Sequence, residues 1–170
     1  GGEIDPPSMA GTVRSVPVIN LPGYRSKSRY FPDGRDLNRA FPGLAKGSTT
    51  SRVASTVKKN LIDGSDVIID LHSAAVGRSN MPQIRGDLSH PESYLLAKAF
   101  GIEVVLDSRP PKGSLRRVAN GLDIAAVTYE GGEANQLDQV AVKVAVEGCL
   151  NVLKSLKVIP KNPARPRFRL

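Results

Sequence analysis

The segment DVIIDLH, residues 66–72, decides the fold class of this chain. Its apolar, β-branched run between polar ends is typical of a short strand buried in a sheet that is covered on both faces. Two similar runs follow, IEVVL at residues 102–106 and AAVTYE at residues 125–130. Because helical patterns separate these runs, we predict an α/β fold, a three-layer αβα sandwich around a mostly parallel central sheet.

Helices are predicted between and after these strands. Ser48 or Thr49 is placed to cap the first helix, and Gly101 to end the second. The predicted helices cover residues 48–61, 91–100, 113–120 and 138–156. A further strand is predicted at VRSVPVIN, residues 13–20.

The ends of the predicted strands carry the residues of greatest chemical interest. Asn20, His72 and Glu130 each end a predicted strand, and small residues follow the last two. In largely parallel α/β sheets, ligands bind beyond the carboxyl ends of the strands. We therefore expect the functional site at this edge of the sheet.

Composition places the chain among ordinary globular domains. Its 170 residues are 40% hydrophobic and 24% charged, which suits one domain with a real core. No apolar run approaches the roughly 20 residues of a membrane-spanning helix, so no membrane partner is expected. The first residues do not resemble a secretory signal, and the single cysteine, Cys149, suits a reducing compartment. A cytoplasmic location is therefore expected.

The net charge of +8 raises the question of nucleic-acid binding. The basic residues are scattered, however, and the chain has four Tyr, four Phe and no Trp, so it is poor in stacking surfaces for bases. Nucleic acid is therefore not expected as a partner. A small acidic substrate accounts for part of the positive charge.

His72 and Glu130 are the candidates for metal binding and proton transfer. His72 lies two residues after Asp70, and a carboxylate often orients a histidine that binds a metal. The alternative for His72 is a core histidine that is satisfied by the backbone. Glu130 precedes two glycines, which let the backbone approach a ligand closely, and is a candidate general base. The alternative for Glu130 is a solvated residue that begins a turn.

The segment RYFPDGRDLNRAFPG, residues 29–43, concentrates guanidinium and amide groups in one loop. Arginine binds carboxylates through a planar, bidentate fork, and it also stabilises an oxyanion that develops during hydrolysis. The alternative is an ordinary basic surface loop. The residues of interest in this loop are Arg29, Arg35, Asn38 and Arg39.

Together, the segments DGRDLNRAFPG, IDLHSA, RSNMPQIRG and TYEGG resemble the succinylglutamate desuccinylase/aspartoacylase family, a branch of the zinc carboxypeptidase superfamily. The resemblance extends from about Gly11 to Lys157. It implies a zinc-carboxypeptidase-like catalytic domain at residues 1–157, followed by a basic linker or the start of a C-terminal domain at residues 158–170. The implied reaction is zinc-dependent hydrolysis of the amide bond in an N-acyl amino acid or a similar anionic amide.

The resemblance also implies roles for individual residues. His72 is implied to bind Zn²⁺, and Glu130 to activate the zinc-bound water. Arg29 is implied to polarise the scissile carbonyl, with Arg35 as its competitor. The candidates for binding the substrate carboxylates are Asn38 and Arg39, then Arg35 and Arg85.

One feature of the family is absent from the chain. The HxxE motif, which supplies two further zinc ligands, is not present upstream of Val18, and the chain opens with GGEIDPPS rather than methionine. We therefore expect the chain to be the middle of a longer enzyme, cut at both ends. The alternatives are a zinc carboxypeptidase acting on peptides and a metal-free, non-catalytic fragment that keeps the fold. The sequence leaves the oligomeric state open.

Overall fold

The computed structural model describes residues 4–160. The α-helices of this range are α1 (Leu21–Ser26), α2 (Thr49–Val57), α3 (Pro91–Phe100), α4 (Leu115–Gly121) and α5 (Gln139–Ser155). The strands are β1 (Val67–Ala74), β2 (Asn80–Gly86), β3 (Val105–Asp107) and β4 (Ala125–Glu133). A π-helical turn, Lys58–Ile62, extends α2. The predicted linker at residues 158–170 lies mostly outside the described residues.

The four strands form one sheet in the order β1-β4-β2-β3. Strand β2 runs parallel to β3 and antiparallel to β4. The predicted α/β class is confirmed, and each of the four predicted helices is found. Three of them have both ends within about two residues of the expected ones, and the first does so when its π-helical turn is included. Within residues 4–160, no helix combines the length and the apolar character that crossing a membrane requires.

The strand predicted at residues 13–20 is wrong. This segment has no regular secondary structure and is mostly exposed, and Pro17 removes one backbone donor from it. Asn20 instead begins α1, where its side-chain oxygen accepts a hydrogen bond from the backbone N–H of Gly23 at 2.9 Å. Asn20 is therefore a helix cap rather than a residue at a strand end.

Strand β2 was not among the predicted strands. Its sequence, NMPQIRG, contains Pro82 and polar residues, which normally disfavour an inner strand. Pro82 is tolerated because it lies within a register shift between Asn80 and Gln83, where the ladder to β4 is interrupted.

The described chain divides into two compact units. The first, here called the sheet unit, comprises residues 4–13, 69–108 and 127–160. In its core α3 and α5 pack on each other and on β2, and the ring of Phe100 stacks on Tyr129 with centroids 5.6 Å apart. Fully buried residues of this core include Ile84, Phe100, Val127, Val144 and Val152.

The second unit, here called the arginine unit, comprises residues 14–68 and 109–126. Ser48 caps α2 and Ser114 caps α4, each by accepting a backbone N–H in the first helical turn. An apolar cluster holds these helices together, and it contains Phe41, Ala54, Val57, Ile62, Leu115, Ala119, Ile124 and Ala126.

Asp33 ties the arginine-rich loop to the start of α2. Its carboxylate accepts hydrogen bonds from the backbone N–H of Thr50, at 2.9 Å, and from the Thr50 hydroxyl. The Thr50 hydroxyl, and then its N–H, lower the pKa of Asp33 from 3.8 to about 2, since both bonds favour the charged form. Thr50 is fully buried, so the bonds are fixed in place.

We expect Asp33→Asn to lower the melting temperature above about pH 4 but not below about pH 2. A group whose pKa is lowered by folding stabilises the fold above its unfolded pKa of 3.8, and this contribution is lost as the pH falls through about 2. Thermal unfolding of both proteins between pH 2 and pH 7 measures the difference. Asp63→Asn, which removes a surface ion pair with Lys58, is the control. A difference that persists unchanged at pH 2 would contradict the expectation.

Candidate active site

Neighbouring strands of the sheet unit bring three titratable side chains together. Asp70 and His72 are two residues apart on β1, so their side chains lie on one face, and His72 Nε2 is 2.8 Å from Asp70 Oδ2. Glu130 lies on β4, the neighbour of β1, and its Oε1 is 3.9 Å from His72 Nδ1. The 3.9 Å separation is too long for a hydrogen bond. The two residues predicted from the strand ends, His72 and Glu130, thus lie in one cluster.

The cluster is shielded from solvent but still reachable. The exposed fractions of the side chains are 26% for His72, 16% for Asp70 and 14% for Glu130. Charges that are partly removed from water interact more strongly with one another and with a bound ligand. The arrangement suits an imidazole held by one carboxylate beside a second carboxylate that can move a proton.

Asn80 belongs to this cluster and was not among the predicted site residues. Its Nδ2 donates a hydrogen bond of 2.9 Å to Glu130 Oε2. The only sequence signal for it is its place in RSNMPQIRG, one of the segments that carried the family resemblance. That segment does not reveal the contact, because Asn80 and Glu130 are 50 residues apart in the chain.

Arg85 and Glu133 have different positions in the same unit. Arg85 lies opposite Thr128 in the β2–β4 ladder, and its Nε is buried with no hydrogen-bond partner among residues 4–160. Glu133 ends β4, and its Oε1 accepts the backbone N–H of Gly77 at 2.7 Å. Glu133 therefore fastens the loop between β1 and β2, whereas Glu130 faces His72.

In the arginine unit, Arg29 is held by an ion pair. Its Nε and Nη2 donate to Asp36 Oδ2 at 3.0 and 2.8 Å. The other oxygen of Asp36 accepts the backbone N–H of Asn38 at 2.8 Å. The Arg29 side chain is 53% exposed, so it is fixed in direction yet open to a ligand.

Asn38, Arg39 and Arg35 follow in the same loop. Asn38 Oδ1 accepts the backbone N–H of Leu115 at 2.9 Å, which links the loop to the first residue of α4. Arg39 is exposed, and its Nη1 donates to the carbonyl of Asn38 at 2.7 Å. Arg35 is also exposed, and its carbonyl accepts the N–H of Phe31 at 3.0 Å. The loop backbone is therefore fixed while the two guanidinium groups lie at the surface.

Whether the described residues fit a zinc ion depends on the number and kind of ligand groups that they provide. A catalytic zinc site takes three protein ligands, drawn from imidazole, thiolate and carboxylate groups. Within residues 4–160, no group of three such side chains is arranged to hold a metal. His72 offers a single imidazole, so the described residues alone do not fit a zinc site.

Comparison with known proteins places this geometry in context. Residues 2–156 match the model of the succinylglutamate desuccinylase/aspartoacylase catalytic domain. A relative, the N-alpha-acetyl-L-2,4-diaminobutyric acid deacetylase of Halomonas elongata, is 44% identical over 64 residues, which are 37% of this chain and 19% of that protein.

Two solved structures show the same fold. A succinylglutamate desuccinylase/aspartoacylase from Rhodobacter sphaeroides superposes with a TM-score of 0.79 and 26% identity, covering 89% of this chain and 47% of that one. The product-bound ectoine utilization protein EutE (DoeB) from Ruegeria pomeroyi has a TM-score of 0.79 and 24% identity, covering 86% of this chain and 47% of that one. The chain thus spans about half the length of these relatives, and its fold is mixed α/β with a mostly parallel central sheet.

Proposed function

Because the chain belongs to the succinylglutamate desuccinylase/aspartoacylase catalytic-domain family, we propose that it carries out hydrolysis of the amide bond in an N-acyl amino acid. The observation that supports this most directly is the position of Glu130. Its carboxylate is held by Asn80 on one oxygen, and its other oxygen faces His72 at 3.9 Å. A carboxylate fixed in this way is suited to take a proton from water.

We propose the following roles for the remaining residues. Glu130 accepts a proton from the attacking water and delivers it to the leaving amine. Arg29 stabilises the oxyanion that forms on the scissile carbonyl, a contribution of about 3 kcal/mol in comparable sites. Arg35 is the alternative for that role, because its guanidinium is also exposed in the same loop.

For substrate binding we propose Arg39 as the main carboxylate contact. It is exposed, and its backbone N–H donates to the carbonyl of Asp36 in the same loop. Asn38 contributes by holding that loop on α4, since its oxygen already accepts the N–H of Leu115. Arg85 is proposed for a second carboxylate, on the ground that its buried Nε lacks a partner among residues 4–160.

Zinc dependence is part of the same proposal, with His72 as one ligand. Since residues 4–160 do not provide three ligands, any remaining ones must come from outside this range. We also propose a cytoplasmic location, which the single cysteine supports.

A deacylase is favoured over the two alternatives, a peptidase and a metal-free binding module. The Halomonas relative is named as a deacetylase of an N-acetylated amino acid, which supports a small anionic substrate. A binding module without catalysis gains nothing from a carboxylate held opposite a histidine.

The proposed function is tested by assaying the full-length protein with an N-acetyl amino acid and with a short peptide. We expect release of the free amine from the N-acetyl amino acid and little cleavage of the peptide. Zinc is measured on the same sample by elemental analysis after dialysis against a mild chelator, with about one zinc per chain expected. Faster peptide cleavage would identify a peptidase, and absence of both activities with zinc bound would overturn the hydrolase.

A further inference from the structure

We propose that Asn80 is a positioning residue that fixes the carboxylate of Glu130 in its reactive orientation, a role that rests on the proposed function of Glu130 as general base. The contact that carries it is the 2.9 Å hydrogen bond from Asn80 Nδ2 to Glu130 Oε2. Asn80 acts through Glu130 and is not itself proposed to touch the substrate.

A β-bulge places Asn80 next to Glu130. Gln83 of β2 lies opposite Glu130 of β4, but Asn80 lies opposite Gly132, so three steps along β2 match only two along β4. Without this shift Asn80 would face Glu133 instead. Residues three apart on a regular strand point to opposite faces, and a bulge re-aims one of them. The irregularity in β2 therefore has a direct consequence for the proposed base.

The residue directly opposite Glu130 does not make this contact. Gln83 pairs with Glu130 in the ladder, yet no hydrogen bond joins their side chains within the described part of the chain. The amide that holds Glu130 thus comes from the bulge rather than from the regular ladder. A place directly opposite Glu130 in the ladder is therefore not sufficient for a side chain to bond its carboxylate.

The chemistry of an amide suits this position. An ionised carboxylate only accepts hydrogen bonds, so the NH₂ end of Asn80 must face it. A neutral donor orients the carboxylate and leaves its negative charge in place. An arginine or lysine at this position would neutralise that charge. Because Oε2 is occupied by Asn80, Oε1 is the oxygen directed toward His72, at 3.9 Å. Asn80 thereby decides which oxygen of Glu130 is presented to a water molecule.

The test compares Asn80→Asp and Asn80→Ala in the full-length protein with an N-acetyl amino acid as substrate. Asp has the shape of Asn but places a second carboxylate against Glu130, so it replaces the donor by a repelling charge, whereas Ala removes the donor alone. We expect both variants to lower kcat about 10- to 100-fold while KM changes less than about twofold. Zinc content and melting temperature should stay near those of the unmodified protein.

A matched control is Asn60→Ala. Asn60 also donates through Nδ2 at 2.9 Å, but to the backbone carbonyl of Thr56 on the exposed surface of the arginine unit. Its loss should leave kcat within about twofold.

Three other results would contradict the proposal. A wild-type kcat in either variant would show that turnover does not need the donor of Asn80, and would overturn the positioning role while leaving the proposed hydrolase activity intact. A rise in KM alone, or failure of both variants to fold, would make Asn80 a binding or structural residue and would also overturn it. An unmodified protein that is inactive although it contains zinc would overturn the proposed function, and the positioning role with it.

Discussion

Glu130→Gln in the full-length protein is expected to lower turnover of an N-acetyl amino acid about 10²- to 10⁴-fold. Glutamine has nearly the same volume, and its side-chain oxygen can still accept the hydrogen bond from Asn80, so the surrounding strands should not move. What is lost is the ability to take and return a proton. Zinc content and KM should therefore stay close to those of the unmodified protein, because His72, the proposed zinc ligand, and the arginine-rich loop are unchanged.

Glu133→Gln is the matched control for this experiment. Glu133 lies three residues later on the same strand, and its carboxylate binds the backbone N–H of Gly77 and the side chain of Gln136. Glutamine retains an acceptor for the Gly77 N–H, so turnover should fall less than about threefold. Normal turnover in Glu130→Gln would exclude Glu130 as the base. An equal loss in both variants would point to damage of the strand end rather than to proton transfer.

The elements with a strong apolar pattern could be predicted from the sequence. Strands β1 and β4 and helix α3 are marked by apolar runs in the sequence, by Pro91 at the helix start and by Gly101 at its end. Strand β4 is buried as its run predicts, but β1 is only partly buried, because it is the outermost strand of the sheet among the described residues. The rule that ligands bind at the carboxyl ends of strands then selected His72 and Glu130, which lie in one cluster. Local pattern and general topology were sufficient for this part of the candidate site.

The remaining features depend on contacts between residues that are far apart in the chain. Strand β2 carries Pro82 and polar residues, and it forms only because a bulge accommodates the proline between two neighbouring strands. The hydrogen bond between Asn38 and Leu115 joins residues that are 77 positions apart, and no sequence pattern predicts it. For the same reason Asn80 was not predicted as a site residue. Its contact with Glu130 depends on the register shift, and its neighbours in sequence do not reveal it.

Gly43, the last residue of the segment DGRDLNRAFPG, is expected to be critical for stability. We expect Gly43→Ala to destabilise the protein by about 3 kcal/mol or more. Gly43 has φ of 77°, a left-handed conformation that favours glycine. A Cβ added there would lie 2.2 Å from the carbonyl oxygen of Ser51 and 2.4 Å from the backbone nitrogen of Ser55. Both atoms belong to the backbone of α2, so neither can rotate away, and the loop must lift off the helix. Equilibrium unfolding in urea measures the loss.

Gly34→Ala separates the two causes of this instability. Gly34 lies in the same loop with φ of 74°, but no atom of residues 4–160 lies within 4 Å of a Cβ built on it. Its substitution should therefore cost only the conformational strain, about 1 kcal/mol. If the two variants lost equal stability, the close approach of the loop to α2 would not be the reason for Gly43. A larger loss at Gly43 would mean that this glycine lets the arginine-rich loop rest directly on a helix, and so fixes the backbone from which Arg39 reaches the surface.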